Sequence, residues 1–236
     1  MPLHLQRQIE QLKKMILTLG GQVEDAVQKA IRAVQTRDVD LAREVIRSDT
    51  DIDMGEVQIE EECLHALALD QPVAFQLRYV IAVLKINNEL ERIADLAVNI
   101  AEQGLALAEE AHIETVPYDL EGMTRHVREM LTGSLDALVN IDPAQAERVR
   151  GADDHVDVIH RDMYQSIERA IRADVAHVEQ FIHLLSVSRN LERIADHCVN
   201  IAEDVIYMAE GDIRRHSRPH PLAEEAESGE MDGGSA

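Results

Sequence analysis

The sequence predicts an all-α protein built as two tandem, pseudo-symmetric three-helix bundles of long antiparallel helices. Apolar residues make up 45% of the 236-residue chain, aromatics only 3%, and tryptophan is absent, a composition that favours helices. Only four prolines precede residue 219, at positions 2, 72, 117 and 143, which leaves long intervals for uninterrupted helices. Residues 90–102 read LERIADLAVNIAE and residues 191–203 read LERIADHCVNIAE, with eleven of thirteen positions identical. This internal identity predicts a duplicated structural unit.

The first bundle is expected to contain three helices. The first spans about residues 4–36, because apolar residues recur there in alternating steps of four and three. The second runs from about residue 38 to 69. The third opens at Asp70 as its N-cap, with Pro72 in its first turn, and continues to about residue 111. The apolar seam of the first helix consists of Leu5, Ile9, Leu12, Ile16, Leu19, Val23, Ala26, Ala30 and Ala33.

The second bundle repeats this plan. A shorter fourth helix spans about residues 119–140. The fifth begins after an Asp142 cap with Pro143 behind it, and the sixth begins near Asp174. Gly211 is well placed to end the sixth helix, because glycine readily adopts the left-handed conformation that follows many helices.

Domain boundaries follow from the points at which the helical pattern stops. The pattern is interrupted at residues 112–118, around Pro117, and we interpret this segment as a linker. We therefore expect a first bundle at residues 1–112 and a second at residues 113–215. The remaining segment, residues 216–236, is rich in Pro, Gly, Ser and Glu and is interpreted as a disordered acidic tail.

Charge and cysteine usage narrow the functional classes. The formal net charge is −22, with 45 acidic against 23 basic residues, so a nucleic-acid-binding protein is disfavoured because phosphate neutralisation needs a basic face. The two cysteines, Cys63 and Cys198, occupy non-equivalent positions in apolar helical pattern and indicate neither a disulfide framework nor a cysteine metal site. No apolar run long enough to span a membrane occurs, and a cytoplasmic protein is expected.

The repeated segment carries an oxygen-rich stripe. At 100° per residue, Glu91, Asp95 and Glu102 fall within about 40° of one another, whereas Leu90 and Ile93 lie on a different face of the helix. The carboxylates therefore need not enter the apolar core. The second copy repeats the stripe with Glu192, Asp196 and Glu203, and amide side chains flank the stripes at Asn88, Asn99 and Asn200.

Hairpin geometry adds acidic residues from the preceding helix. If the second and third helices fold back around residues 70 and 71, Asp49 lies level with about Arg92, and Asp53 with about Asn88. The equivalent residues of the second copy are Asp153 and Asp157, each 104 positions later. Four carboxylates per repeat are thus expected at one height: Asp49, Asp53, Glu91 and Asp95 in the first, and Asp153, Asp157, Glu192 and Asp196 in the second.

Clustered carboxylates predict two metal sites. Like charges on adjacent helical turns repel, and a bound cation relieves that repulsion. Oxygen ligands without thiolates suit Mg, Mn or Fe, and zinc less well. The alternative is a solvated face neutralised by Arg92 and Arg193, in which case the protein is a helical scaffold without metal.

Further candidate groups lie near these positions. His155, His160 and His197 accompany the second site, and we interpret them as exposed or core-edge imidazoles in preference to ligands. Asp25 and Glu129 are equivalent residues on the first and fourth helices and are candidates for additional ligands or supporting groups.

No catalytic motif stands out in the sequence. It contains no Gly-rich phosphate loop, no nucleophile elbow and no repeated Ser, His and Asp arrangement, so we predict a protein that is not an enzyme. The enzymatic alternative is a carboxylate-bridged metal oxidase or hydrolase, which would use the same acidic residues.

The chain resembles the PhoU family over about residues 5–210, and the twin ERIADxxVNIAE segments are the most specific part of that resemblance. The resemblance implies a cytoplasmic accessory protein of the high-affinity phosphate ABC transporter. Such proteins restrain phosphate-starvation signalling by linking the transporter's ATPase subunit to a membrane sensor histidine kinase, and they reach the membrane only through these partners. Members are often homodimers, and some carry multinuclear iron, zinc or other metal clusters. These ligand roles carry over to Asp49, Asp53, Glu91, Asp95, Asp153, Asp157, Glu192 and Asp196.

Overall fold

A computed structural model of the chain describes residues 3–110, 113 and 116–211. The expected tail at 216–236 lies outside the described residues, as does part of the expected linker. A short 3-10 turn occupies Val175–His177. The helices are α1 (Leu3–Thr36), α2 (Val39–Asp70), α3 (Phe75–Glu109), α4 (Leu120–Asn140), α5 (Pro143–Ala173) and α6 (Val178–Glu210).

Aspartate side chains begin three of the helices. Asp38 accepts a hydrogen bond from the backbone N–H of Leu41 at the start of α2. Asp119 caps α4 in the same way, through the backbone N–H of Gly122. Asp142 caps α5, with a proline at the first helical position, as the sequence predicted. Each cap satisfies a backbone donor that the helix itself leaves unpaired.

The start of α3 differs from the prediction. Asp70 is the last residue of α2, and α3 begins five residues later at Phe75. Because Gln71 precedes Pro72, the helical conformation is disfavoured there, and Gln71 adopts a left-handed φ of 43°. Ala74 also has a positive φ, of 49°, and has no side-chain cap. Proline therefore ends one helix here and does not sit in the first turn of the next.

The start of α6 is likewise shifted, whereas its end is where the sequence placed it. Asp174 ends α5, its backbone N–H bonding to the carbonyl of Ala170, and the 3-10 turn follows before α6 begins at Val178. Gly211 ends α6 with a φ of 85° and bonds through its N–H to the carbonyl of Tyr207. A side chain would be strained in that conformation, which explains glycine at this position.

The helices α3 and α6 form the centre of the molecule. They pack against each other, α3 also packs against α1 and α2, and α6 also packs against α4 and α5. The helices α1 and α4 meet as well, and a Cβ at Gly20 would lie 2.8 Å from a methyl group of Leu135. The all-α prediction of two three-helix bundles is confirmed. Within the described residues, no helix combines the length and apolarity needed to cross a bilayer.

The apolar faces of α3 and α6 supply the core. Leu90 and Ile93, which the sequence assigned to a different face from the carboxylates, are fully buried, and their equivalents Leu191 and Ile194 are fully buried too. Burial of these faces directs the acidic stripes outward, on both repeats.

Candidate metal sites and the interface between the repeats

The α2–α3 hairpin places its acidic residues at nearly equal heights. Because the connection covers residues 71–74, reflection about its centre sets Asp49 level with Leu96 and Asp53 level with Arg92. This is one helical turn from the predicted register. The shift improves the match, since Asp49 now lies beside the turn that contains Asp95.

These carboxylates lie close enough to act on one another's charge. Burial raises the pKa of Asp49, and the charges of Asp53 and Asp95 raise it further. Burial also raises the pKa of Glu91, with additional contributions from Asp95, Glu56 and Asp53. We refer to the four predicted residues of this repeat, Asp49, Asp53, Glu91 and Asp95, as the first acidic group.

The α5–α6 hairpin forms the equivalent arrangement. Burial raises the pKa of Glu192, and Asp157 and Asp153 raise it further. Burial lowers the pKa of His160, against the opposing charges of Asp157 and Asp196. The second acidic group is Asp153, Asp157, Glu192 and Asp196. Across both groups, Asp153 is buried, Asp49, Glu91, Asp157 and Glu192 are half-buried, and Asp53, Asp95 and Asp196 are exposed.

Sequence analysis did not identify one acidic residue beside the first acidic group. Glu56 borders the first acidic group and corresponds to His160 of the second repeat at the same separation of 104 residues. Asn87 donates to a carboxylate oxygen of Glu56 at 3.1 Å, and His160 lies 3.3 Å from the hydroxyl of Ser188, which is the repeat equivalent of Asn87. His160 was already a candidate, and the residue 104 positions before it is Glu56, so the repeat could have identified Glu56 from the sequence.

The ligand chemistry fits a hard cation, but the ligands are not assembled around one point. Asp49 Oδ1 is buried without a hydrogen-bond partner, the environment of an oxygen that a cation would satisfy. Among the described residues, however, no three His, Cys, Asp or Glu side chains are grouped so that they could hold one ion. Metal binding would require side-chain rotation, and the assignment of the eight residues as ligands stays a prediction.

Three other predicted candidates lie beside basic side chains of the chain. Glu203 lies 3.4 Å from the guanidinium of Arg150, so a cation of the chain already meets its charge. Asp25 forms an ion pair with Lys29 at 2.6 Å and is mostly exposed. Glu129 is also mostly exposed, with His126 3.7 Å away.

A polar cluster connects the two repeats at the α3–α6 contact. Glu89 is 8% exposed, and its Oε2 accepts a hydrogen bond from Asn200 at 3.1 Å and lies 2.7 Å from Nδ1 of His197. Lys85 Nζ lies 2.7 Å from Oδ1 of the buried Asp204. These five residues are called the inter-repeat cluster.

This cluster changes the interpretation of two sequence-derived candidates. Asn200 was expected to flank the second acidic stripe and His197 to be exposed or at the edge of the core. Both turn towards Glu89 of the other repeat. The available signal was a difference between the copies, since Leu96 and Gln103 of the first copy are replaced by His197 and Asp204 in the second.

The repeated architecture coincides with a known domain. The sequence profile of the PhoU domain matches the chain twice, at residues 16–104 and 120–205. The chain belongs to the PhoU family. Among its PhoU relatives, the phosphate-specific transport system accessory protein PhoU homolog of Aquifex aeolicus is 36% identical over 211 residues, covering 89% of this chain and 95% of that protein. The Escherichia coli phosphate-specific transport system accessory protein PhoU is 34% identical over 209 residues, covering 89% and 86%.

Solved PhoU structures share the fold. The crystal structure of PhoU from Pseudomonas aeruginosa superposes with a TM-score of 0.85 at 32% identity, covering 88% of this chain and 99% of that one. The phosphate transport system regulatory protein PhoU from Streptococcus pneumoniae gives a TM-score of 0.78 at 26% identity, covering 89% and 98%. The similarity therefore extends over both repeats of the PhoU fold.

Proposed function

We propose that this protein is a cytoplasmic regulator of phosphate uptake and a negative regulator of phosphate-starvation signalling. In this role it links the ATPase subunit of a phosphate ABC transporter to a sensor histidine kinase, acts as a homodimer and catalyses no reaction. The observation that supports the proposal most strongly is the pair of PhoU domains, together with relatives that match most of both chains and are named accessory proteins of phosphate-specific transport.

We also propose that the two acidic groups bind divalent or trivalent metal ions, with Mg, Mn, Fe and Zn as candidates. The raised pKa values of Asp49, Glu91 and Glu192 support this, because they reflect burial and repulsion that disfavour the ionised carboxylates. A bound cation would offset both effects, because its charge stabilises the ionised carboxylates. The buried, unbonded Oδ1 of Asp49 adds a second reason in the first group.

Deleting the gene is expected to switch on phosphate-starvation reporters in phosphate-rich medium, to the level reached in starved cells. The reason is that the proposed link between transporter and kinase would be lost. Reporter activity is compared between the deletion strain and the same strain complemented with the wild-type chain. Phosphate uptake is measured as a control, to verify that the transporter is active. Silent reporters in the deletion strain would show that the chain is no repressor of this response.

Metal content is expected to fall by half in each of two variants and to vanish when they are combined. One variant carries Glu91→Gln with Asp95→Asn, and the other carries Glu192→Gln with Asp196→Asn. Each pair removes two carboxylate ligands from one acidic group while preserving side-chain size. Elemental analysis is done on protein purified without chelator.

The matched control for metal content is Asp25→Asn with Glu129→Gln, which also removes two carboxylates but from exposed positions on α1 and α4. Its metal content should equal that of the wild type. Equal metal in all the variants would exclude the acidic groups as ligands. Oxygen consumption and phosphoester hydrolysis are measured on the same samples, and turnover that depends on the metal would favour the enzymatic alternative.

A further inference from the structure

A polar cavity of about 270 Å³ opens between the two repeats, where the C-terminal half of α3 meets the N-terminal half of α6. We call it the α3–α6 cleft. Every lining side chain is polar, two are cationic and none is acidic. The lining consists of Asn99 and Gln103 on α3 and Ser186, Arg189, Asn190 and Arg193 on α6.

The internal repeat supplies a direct comparison for this cleft. The motif segments are separated by 101 positions, and the six lining residues map at that separation onto a second set on the same two helices. That set contains four members of the inter-repeat cluster. In order, the equivalents are Asn200, Asp204, Lys85, Asn88, Glu89 and Arg92.

On the equivalent side, the chain provides its own anions. Asp204 meets Lys85 at 2.7 Å, and Glu89 accepts from Asn200 at 3.1 Å. With Arg92 included, two cationic and two acidic side chains balance in formal charge. In that half of the interface, the charges of the chain therefore neutralise one another.

In the cleft, both of those anions are replaced by amides. Asn190 stands at the position of Glu89, and Gln103 at the position of Asp204. Two guanidiniums remain, from Arg189 and Arg193, so the formal charge of the lining is +2 in a chain whose net charge is −22. Among the described residues, no carboxylate oxygen lies within 4.0 Å of either guanidinium, although both arginines act on the charge of Glu192.

The remaining side chains add hydrogen-bond donors. Nδ1 of His183 lies 2.8 Å from Oε1 of Gln103, which occupies the acceptor end of that amide and leaves its NH₂ group as the donor end. Asn99 and Asn190 supply two further amides. Two guanidiniums and several amide donors around a small cavity are suited to an anion with several acceptor oxygens, and to a tetrahedral phosphate in particular.

We propose that the α3–α6 cleft binds a phosphate group, either as inorganic phosphate or as the phosphate of a small monoester. Arg189 and Arg193 supply the charge, and Asn99, Gln103 and Asn190 supply neutral donors. The site uses none of the eight residues of the acidic groups, although its two arginines lie near Glu192. It does not depend on the proposed regulatory role.

The test is isothermal titration calorimetry on the full chain with inorganic phosphate and, separately, with AMP as the monoester. Both titrations are repeated after treatment with a chelator, because Arg189 and Arg193 lie close enough to act on Glu192 of the second acidic group. Binding that persists without metal is expected. Stronger binding of phosphate would identify the free anion as the ligand, and stronger binding of AMP a monoester.

Matched variants locate the site. Arg193→Gln is expected to weaken binding by about tenfold, the effect of one charge-assisted hydrogen bond. The control is Arg92→Gln, at the equivalent position of the first repeat, which alters the net charge by the same amount. It should leave the affinity for phosphate within about twofold of the wild type. Asn190→Glu places a carboxylate where Glu89 lies in the first copy, and should abolish binding while the helical circular dichroism is retained.

Three results would overturn the assignment. They are no binding of either ligand, binding that is lost with the metal, and equal affinity in the Arg193→Gln and wild-type proteins. Each of these concerns purified protein. The regulatory proposal is judged separately, by the reporters in the deletion strain, so either can fail while the other stands.

Discussion

Replacing Glu89 by alanine is expected to destabilise the protein by about 3 kcal/mol at pH 7. The Glu89 carboxylate is almost completely buried between the repeats and is hydrogen-bonded by Asn200, with His197 2.7 Å away. Truncation would leave both of those polar groups without their acceptor in a site that water barely reaches. Urea unfolding followed by circular dichroism measures the change.

The effect of Glu89 should depend on pH. Burial acts to raise the pKa of Glu89, but hydrogen bonds from His197 and Asn200 and the charge of His197 outweigh it, and the pKa is lowered from its ordinary value of 4.5. A carboxyl whose pKa is lower in the folded state stabilises the fold fully above its unfolded value. That contribution is lost as pH falls through the folded pKa. The stability difference between wild type and Glu89→Ala should therefore shrink as the pH falls below 4.5.

The control for this prediction is Asn190→Ala, at the equivalent position of the second repeat. Asn190 is half-buried and lines the α3–α6 cleft, so its truncation should cost no more than about 1 kcal/mol. Similar losses for the two variants, or a Glu89 effect that does not change with pH, would show that the inter-repeat cluster contributes no specific stabilisation.

Replacing Leu90 by alanine should lower the free energy of unfolding by about 2–5 kcal/mol. Leu90 has no exposed surface, and it opens the repeated motif on the central helix α3. Removing its side chain creates a cavity in the hydrophobic core, which the packed helices can fill only in part. The equivalent change Leu191→Ala on α6 should have an effect of the same size. Urea unfolding of the two variants measures both losses.

The matched control for the core prediction is Leu69→Ala. Leu69 is 73% exposed near the end of α2, so the same change of residue should alter stability by no more than about 0.5 kcal/mol. If Leu90→Ala were as mild as Leu69→Ala, the assignment of the repeated motif to the centre of the core would be wrong.

Much of the fold could be predicted because helices are encoded locally. The periodic apolar seam of α1, the Asp142 cap of α5 and the Gly211 stop of α6 depend on residues within a few positions of one another. The start of α3 was predicted incorrectly because two local signals competed. Asp70 has the side chain of an N-cap, but Pro72 and the left-handed Gln71 decide where the chain turns.

The acidic groups could be predicted for the same local reason, with one additional assumption. Their stripes follow from helical angles, and the hairpin connection determines which turns of α2 and α3 face each other. An error of two residues in the centre of that connection moved the register by four residues, which is about one helical turn. The predicted membership of the groups was unaffected, because acidic residues occur on successive turns of both helices.

By itself, the sequence determined the helices, the duplication, the buried faces and the residues of the two acidic groups. Only the tertiary structure decided which residues meet across the repeats. Helical periodicity gives the direction of a side chain from its own axis, but it does not give the rotation and axial shift of a distant helix. Glu89 therefore meets His197 and Asn200 in the C-terminal half of α6, while Arg189 and Arg193 border a cleft in its N-terminal half.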